Sequence, residues 1–218
     1  MLCAVCAPIG AALPPGNDPA ALVLAGLTTA FDSGAPPDAV LATITDAKRQ
    51  IVARSQAAER REAGSDHRWH GSGTTADVAL FVAGRAHLAH VGDGCIYRFR
   101  SGRLESMTTA HTLVNEYRRL PEITDAQLAR IPKNVIVRAL GMTSDVEIDR
   151  AELDALSGDV WILCSGHLAA RVSEESMTST LLCHRDARAI RDELVLTHAV
   201  LAGGREDGLS IVVHAVGA

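Results

Sequence analysis

The sequence is poor in aromatic residues, which make up 3% of 218. Its core must therefore come from Ala, Val, Leu and Ile, and little is left for base stacking or an aromatic ligand cage. It also has no basic surplus. Twenty-one Lys and Arg against 26 Asp and Glu give a net charge of -5, without the electrostatic footprint of a nucleic-acid binder. Long apolar runs are missing, since nothing approaches the roughly 20 residues that cross a bilayer. The apolar start, Met1 to Gly16, carries no Lys or Arg before its apolar run and is broken by Pro8, Pro14 and Pro15, unlike a signal peptide. No nucleic-acid or membrane partner and a cytoplasmic location are expected. Paired cysteine motifs are scarce too. Cys3 and Cys6 form one C-x-x-C without the second that a zinc site would want, and on a strand they face opposite sides. They read as buried thiols, like Cys95 and Cys164.

What is present is an α+β pattern. Leu2 to Cys6 reads as a buried strand. Asn17 or Asp18 with Pro19 opens a helix to about Phe31, and Pro37 opens a long second helix on which Val40, Leu41, Ile44, Ala47 and Ile51 recur at helical spacing. Ala63 to Gly73 is polar and reads as a loop. Four short strands then follow around Val78–Val82, Ala86–Val91, Cys95–Arg100 and Leu104–Met107, joined by tight turns, so an antiparallel sheet is expected. His111 to Arg119 looks helical, and Thr124-Asp125-Ala126-Gln127 has capping-box spacing. Val135–Ala139 and Val160–Cys164 are apolar runs of strand length. A helix capped by Ser173, a helix over Asp186–Leu201 and a strand over Leu209–Val216 complete the chain. No repeat, low-complexity tract or linker divides it, so one domain over 1–218 is expected.

Several stretches, taken in order, resemble the PPM family (protein phosphatase 2C, in its bacterial serine/threonine form). They are Gly73-Thr74-Thr75; Ala89-His90-Val91-Gly92-Asp93-Gly94; His111-Thr112-Leu113-Val114; Asn134 to Gly141; Gly158-Asp159 to Ser165; and Gly203-Gly204 to Val213. The resemblance implies a four-layer αββα sandwich of two antiparallel sheets flanked by helices, with a flap-like segment about 111–133 and the family's opening strand lying before Met1. It also implies a site in which two Mn²⁺ or Mg²⁺ ions, held by aspartates, activate water against a phosphoserine or phosphothreonine ester.

Set against that family's motifs, the acids are largely gone. Ala4 to Ala11 aligns with the family's A-V-A-D-G-M-G-G, which puts Ala7 at the metal-bridging Asp and Pro8 at the following Gly. In the C-S-D-G-L motif, Gly166 takes the place of the Asp and His167 that of the Gly. Asp207 is the one surviving position of the family's metal set, and Asp93 persists where some members help a third metal. The resemblance therefore implies a pseudophosphatase that works by binding a serine/threonine kinase or a phosphoprotein, with no catalytic residue and no cofactor. The alternative is an altered metal-dependent phosphohydrolase rebuilt around His167 and Asp207, with zinc held by histidine; His67, His70 and His90 are further candidate ligands. Arg68 and Arg205 could supply charge to a phosphate.

Overall fold

In a computed structural model, the chain is described over residues 1–10, 18–61, 72–203 and 208–217, without the side chains of 57–61. The strands are β1 (Leu2–Val5), β2 (Pro8–Ile9), β3 (Gly73–Thr74), β4 (Ala76–Val82), β5 (Arg85–Val91), β6 (Cys95–Arg100), β7 (Arg103–Ser106), β8 (Asp149–Asp154), β9 (Val160–Cys164) and β10 (Ile211–Ala215). The helices are α1 (Pro19–Asp32), α2 (Pro37–Arg61), α3 (Leu113–Arg118), α4 (Asp125–Leu128), α5 (Gly166–Arg171), α6 (Glu174–Cys183) and α7 (Ala187–Ala202).

Two four-stranded antiparallel sheets form, ordered β1-β4-β5-β8 and β10-β9-β6-β7, with β2-β3 as a small separate pair. Side-chain alternation along β4 explains the layering. Val78 and Leu80 pack with Val23, Leu27, Val40 and Ile44 of α1 and α2. Ala79, on the other face, packs with Cys3, Val5, Leu88, Ile96, Trp161 and Leu163 between the sheets. The outer face of the second sheet, through Tyr97, Phe99, Ile162 and Cys164, is covered by Leu168, Met177, Leu181, Ile190 and Leu194 of α5, α6 and α7. This is the expected αββα order of layers.

Four local readings need correction. The strands from Val78 to Met107 do not share one sheet: β4 and β5 lie in the first, β6 and β7 in the second. The chain crosses at Gly92, whose φ of 120° and approach to Thr75 leave no room for a side chain. The apolar run Val135–Ala139 is not a strand. It serves loops instead: Val137 N–H donates to the His111 carbonyl (2.9 Å) and the Val135 carbonyl accepts from Leu113 N–H (2.8 Å). Conversely, Asp149–Asp154 pairs with β5 although its composition is charged, because it is an edge strand whose outward residues meet water. Leu2–Val5 is likewise an edge strand among the described residues.

The α4 capping box is present, with Thr124 Oγ1 accepting from Gln127 N–H and the Gln127 side chain returning to Thr124 N–H. Cys3 faces the inter-sheet core, whereas Cys6 packs on the helix side. Cys95 and Cys164 are buried and Cys183 is exposed. No helix among the described residues is long and apolar enough to cross a membrane.

Candidate functional site

Antiparallel register brings one end of every central strand to the same place. Val5, Asp77, His90 and Asp149 are cross-strand neighbours in the first sheet, and Cys95, Cys164 and Ile211 are neighbours in the second. The turn Gly92–Gly94 and the start of α5 close over this end. The Gly-Thr-Thr segment pins Ala7 there. Thr75 N–H (2.9 Å) and Thr74 Oγ1 (3.1 Å) donate to the Ala7 carbonyl, and Ala7 N–H donates to Thr75 Oγ1 (3.2 Å). Gly73 is needed because a Cβ would lie 2.4 Å from the Leu140 carbonyl.

The residues that resemblance assigned to the metal set fit two divalent ions poorly. Ala7 offers no side-chain oxygen. Pro8 offers only its carbonyl, opposite Thr74 in β2-β3. Gly166 has no side chain, and the space one would occupy is filled: a Cβ there would lie 2.1 Å from Asp93 Oδ2 and 2.4 Å from its Cγ. His167 is exposed. Asp207, Arg205, His67, Arg68 and His70 lie outside the described residues. Among the described residues, no three His, Cys, Asp or Glu side chains are grouped so as to hold a metal ion.

A hydrogen-bonded network lies at this end of the sheets. Asp77 is fully buried. Its Oδ1 lies 2.8 Å from His90 Nδ1, and its Oδ2 has no hydrogen-bond partner among the described residues. His90 Nε2 faces the Thr109 carbonyl (3.1 Å), so that nitrogen carries a proton. Both ring nitrogens are thus engaged, which removes His90 as a candidate zinc ligand. Its ring stacks on His111 at 4.6 Å between centroids. His111 Nδ1 accepts from Gly92 N–H (3.2 Å), which leaves the proton on Nε2 to be donated to Asp149 Oδ2 (3.1 Å). Arg138 lies 3.5 Å from the other Asp149 oxygen and also neighbours Glu116.

The electrostatics follow from this packing. Burial raises the Asp77 pKa against the opposing pull of His90, and nearby Asp93 adds to the rise. Burial works against a charge on His90, but Asp77 outweighs it and the imidazole pKa rises. Burial and the charge of His90 lower that of His111. Burial also raises Asp93, opposed by its own backbone N–H, His167 and His90. Cys95, beside this floor, is pushed up to about 12 by burial, so it is an inert thiol.

Reading the sequence missed Asp77. Its signal was available: an aspartate in A-D-V-A-L at a position whose alternation with Ala79 points it into the sandwich. Beside the network, Leu88, His90, Thr109, Asp149 and Arg150 help to line a cleft of about 250 Å³ between the sheet edges.

Comparison with known proteins agrees with the geometry. A family model described as protein phosphatase 2C matches residues 27–133. The serine/threonine phosphatase stp of Listeria monocytogenes is 30% identical over 172 residues, covering 78% of this chain and 64% of that protein. The chain thus spans less than two thirds of that relative's length. The crystal structure of the Mycobacterium tuberculosis serine/threonine phosphatase PstP/Ppp superimposes with a TM-score of 0.82 at 25% identity, covering 100% of this chain and 88% of that one. The catalytic domain of PstP in complex with two manganese ions gives 0.76 at 27% identity, covering 97% and 86%. This chain is a domain of the PP2C (PPM) family with the PPM phosphatase fold.

Proposed function

We propose that this domain is a pseudophosphatase, a PPM scaffold that acts by binding and not by turnover. In relatives that hold two manganese ions, the metals would supply an activated water and neutralise the phosphate. The observation that carries the proposal is the state of positions 7 and 166. Neither has a side-chain oxygen, and the carboxylate of Asp93 lies over the Cα of Gly166. Two divalent cations close together need several negative oxygens to offset their mutual repulsion, and these two positions contribute none from their side chains.

The binding partner fitting this reading is a serine/threonine kinase or a phosphoprotein, because the backbone framework that surrounds a phosphoester site in this fold is retained. The Gly-Thr-Thr clamp, the Gly92 turn and the segment bearing Arg138 all keep their hydrogen-bonded places.

The test is metal content by mass spectrometry of protein purified without added metal, with Mn²⁺-supplemented para-nitrophenyl phosphate hydrolysis on the same sample. Metal below stoichiometry and turnover no faster than buffer are expected. Saturable, Mn²⁺-dependent turnover abolished by Asp207→Ala would overturn the proposal. Stoichiometric zinc lost with His167→Ala would instead favour the rebuilt site.

A further inference from the structure

The two glycines at the mouth of this site are not where the backbone needs glycine. Gly92, Gly141 and Gly203 all have positive φ, but Gly94 and Gly166 do not. What a side chain would meet first at those two positions is a carboxylate, joined at Gly94 by the Cys164 carbonyl at 2.9 Å. At Gly166, a Cβ would fall 2.1 Å from Asp93 Oδ2, 2.4 Å from Cγ and 2.9 Å from Oδ1, so the whole Asp93 carboxylate covers the Cα. At Gly94, a Cβ would fall 1.9 Å from Asp77 Oδ2 and 2.7 Å from its Cγ. Heavy atoms do not approach this closely without displacement, and the displaced groups here are buried or half-buried acids.

We infer that the centre of this domain is closed by its own carboxylates: Asp93 fills the volume of a side chain at 166, and Asp77 fills that of a side chain at 94. Loss of the acid at 166 and the inward position of Asp93 are then one coupled change, with Asp93 held between the start of α5 and the Asp77–His90 pair. Asp77 is anchored from behind by His90, which is itself held by the Thr109 carbonyl. An acid returned to position 166 would collide with Asp93 before reaching any cation. This goes beyond the loss of ligands, because it makes the site filled and not merely emptied.

The pair at 166 can be tested by the sign of a substitution. Gly166 is the first residue of α5, after the N-cap Ser165, where alanine is otherwise the better helix former. In the wild-type chain, Gly166→Ala forces overpacking and is expected to lower the melting temperature by about 3–10 °C. In the Asp93→Ala background the same substitution is expected to leave the melting temperature unchanged or to raise it by about 2–4 °C. An equal drop in both backgrounds overturns the inference, as does no drop in either.

If Gly166→Ala alone gives no folded protein, the double variant decides. A cooperative melt supports the coupling, and failure of Asp93→Ala to fold, alone or in the double variant, refutes it. The readout is independent of turnover. The cycle can fail in a domain that binds no metal, and it can succeed in one that hydrolyses phosphoesters, so its outcome is separate from that of the proposed function.

Discussion

Asp77 and Asp159 stand at opposite ends of the sandwich, both nearly sealed from water, and they are treated in opposite ways. Asp159 is saturated. Arg100 Nε and Nη2 donate to its two oxygens at 2.7 and 2.6 Å, and Leu156 N–H adds a third bond at 2.9 Å. Burial opposes its charge, but Arg100 outweighs that and holds its pKa low. Among the described residues Asp77 has one hydrogen-bond partner and one oxygen without any, and its pKa is raised. The first is a structural charge pair joining the β8–β9 turn to β6. The second is a charge that the fold tolerates at the end that carries the candidate site, and buried, incompletely satisfied polar groups concentrate at functional sites in general.

The largest difference between the two acids is expected at His90. His90→Ala removes the only hydrogen-bond partner, among the described residues, of a fully buried carboxylate and is expected to cost about 3–5 kcal/mol in chemical denaturation. Asp159→Ala strips Leu156 N–H of its acceptor and leaves Arg100 with only the Asp154 carbonyl (3.1 Å) among the described residues. Arg100 is partly exposed and can be rehydrated, so a smaller loss of about 2–3 kcal/mol is expected from the same measurement. A larger loss at Asp159 than at His90 would reverse the ranking drawn here.

Protonation sharpens the same contrast. Both members of the Asp77–His90 pair have raised pKa values, so the folded pair retains a proton that the unfolded chain has largely released at neutral pH. The corresponding stability is complete below the unfolded imidazole value of about 6.5 and is lost as pH rises through the folded value. Asp159 has the opposite sign: its lowered pKa contributes stability above about pH 3.9 that is lost as pH falls. Denaturation profiles from pH 6 to 9 are expected to slope downward by up to about 1 kcal/mol per pH unit. The Asp77→Ala, His90→Ala double variant is expected to lack this slope, and an unchanged slope would remove the pair as its source.

The smallest effect is a control. Asp46 pairs with Arg49 on the exposed face of α2 at 3.0 Å. Asp46→Ala is expected to shift stability by less than about 0.5 kcal/mol. A larger value would mean that burial does not separate the three acids.

Much of the architecture was legible from local pattern. Helical spacing from Val40 to Ile51, the proline starts of α1 and α2, the capping box at Thr124 and the alternation in β4 to β7 are each set by neighbours in sequence, and each forms as expected. What failed locally was decided by position in a sheet. Asp149–Asp154 reads as polar because five of its six residues are exposed, and only its ladder to β5 makes it a strand. Val135–Ala139 has strand composition, but its backbone bonds to His111 and Leu113, and it is the next residue, Leu140, that pairs with Thr74 of the Gly-Thr-Thr clamp.

The same division holds at the site. Sequence by itself determined that positions 7 and 166 carry no acid and that the surrounding motifs of the PPM family stand in order, since identity at a position needs no coordinates. Only the tertiary structure decided where the remaining acids went. Asp93 and Gly166 are far apart in the chain, as are Asp77 and Gly94. Each pair meets because β4, β5, β6 and β9 end together, and steric exclusion acts between atoms in space whatever their separation in sequence. From the sequence alone Gly166 is a missing ligand, and in the folded chain it is also the space in which another carboxylate lies.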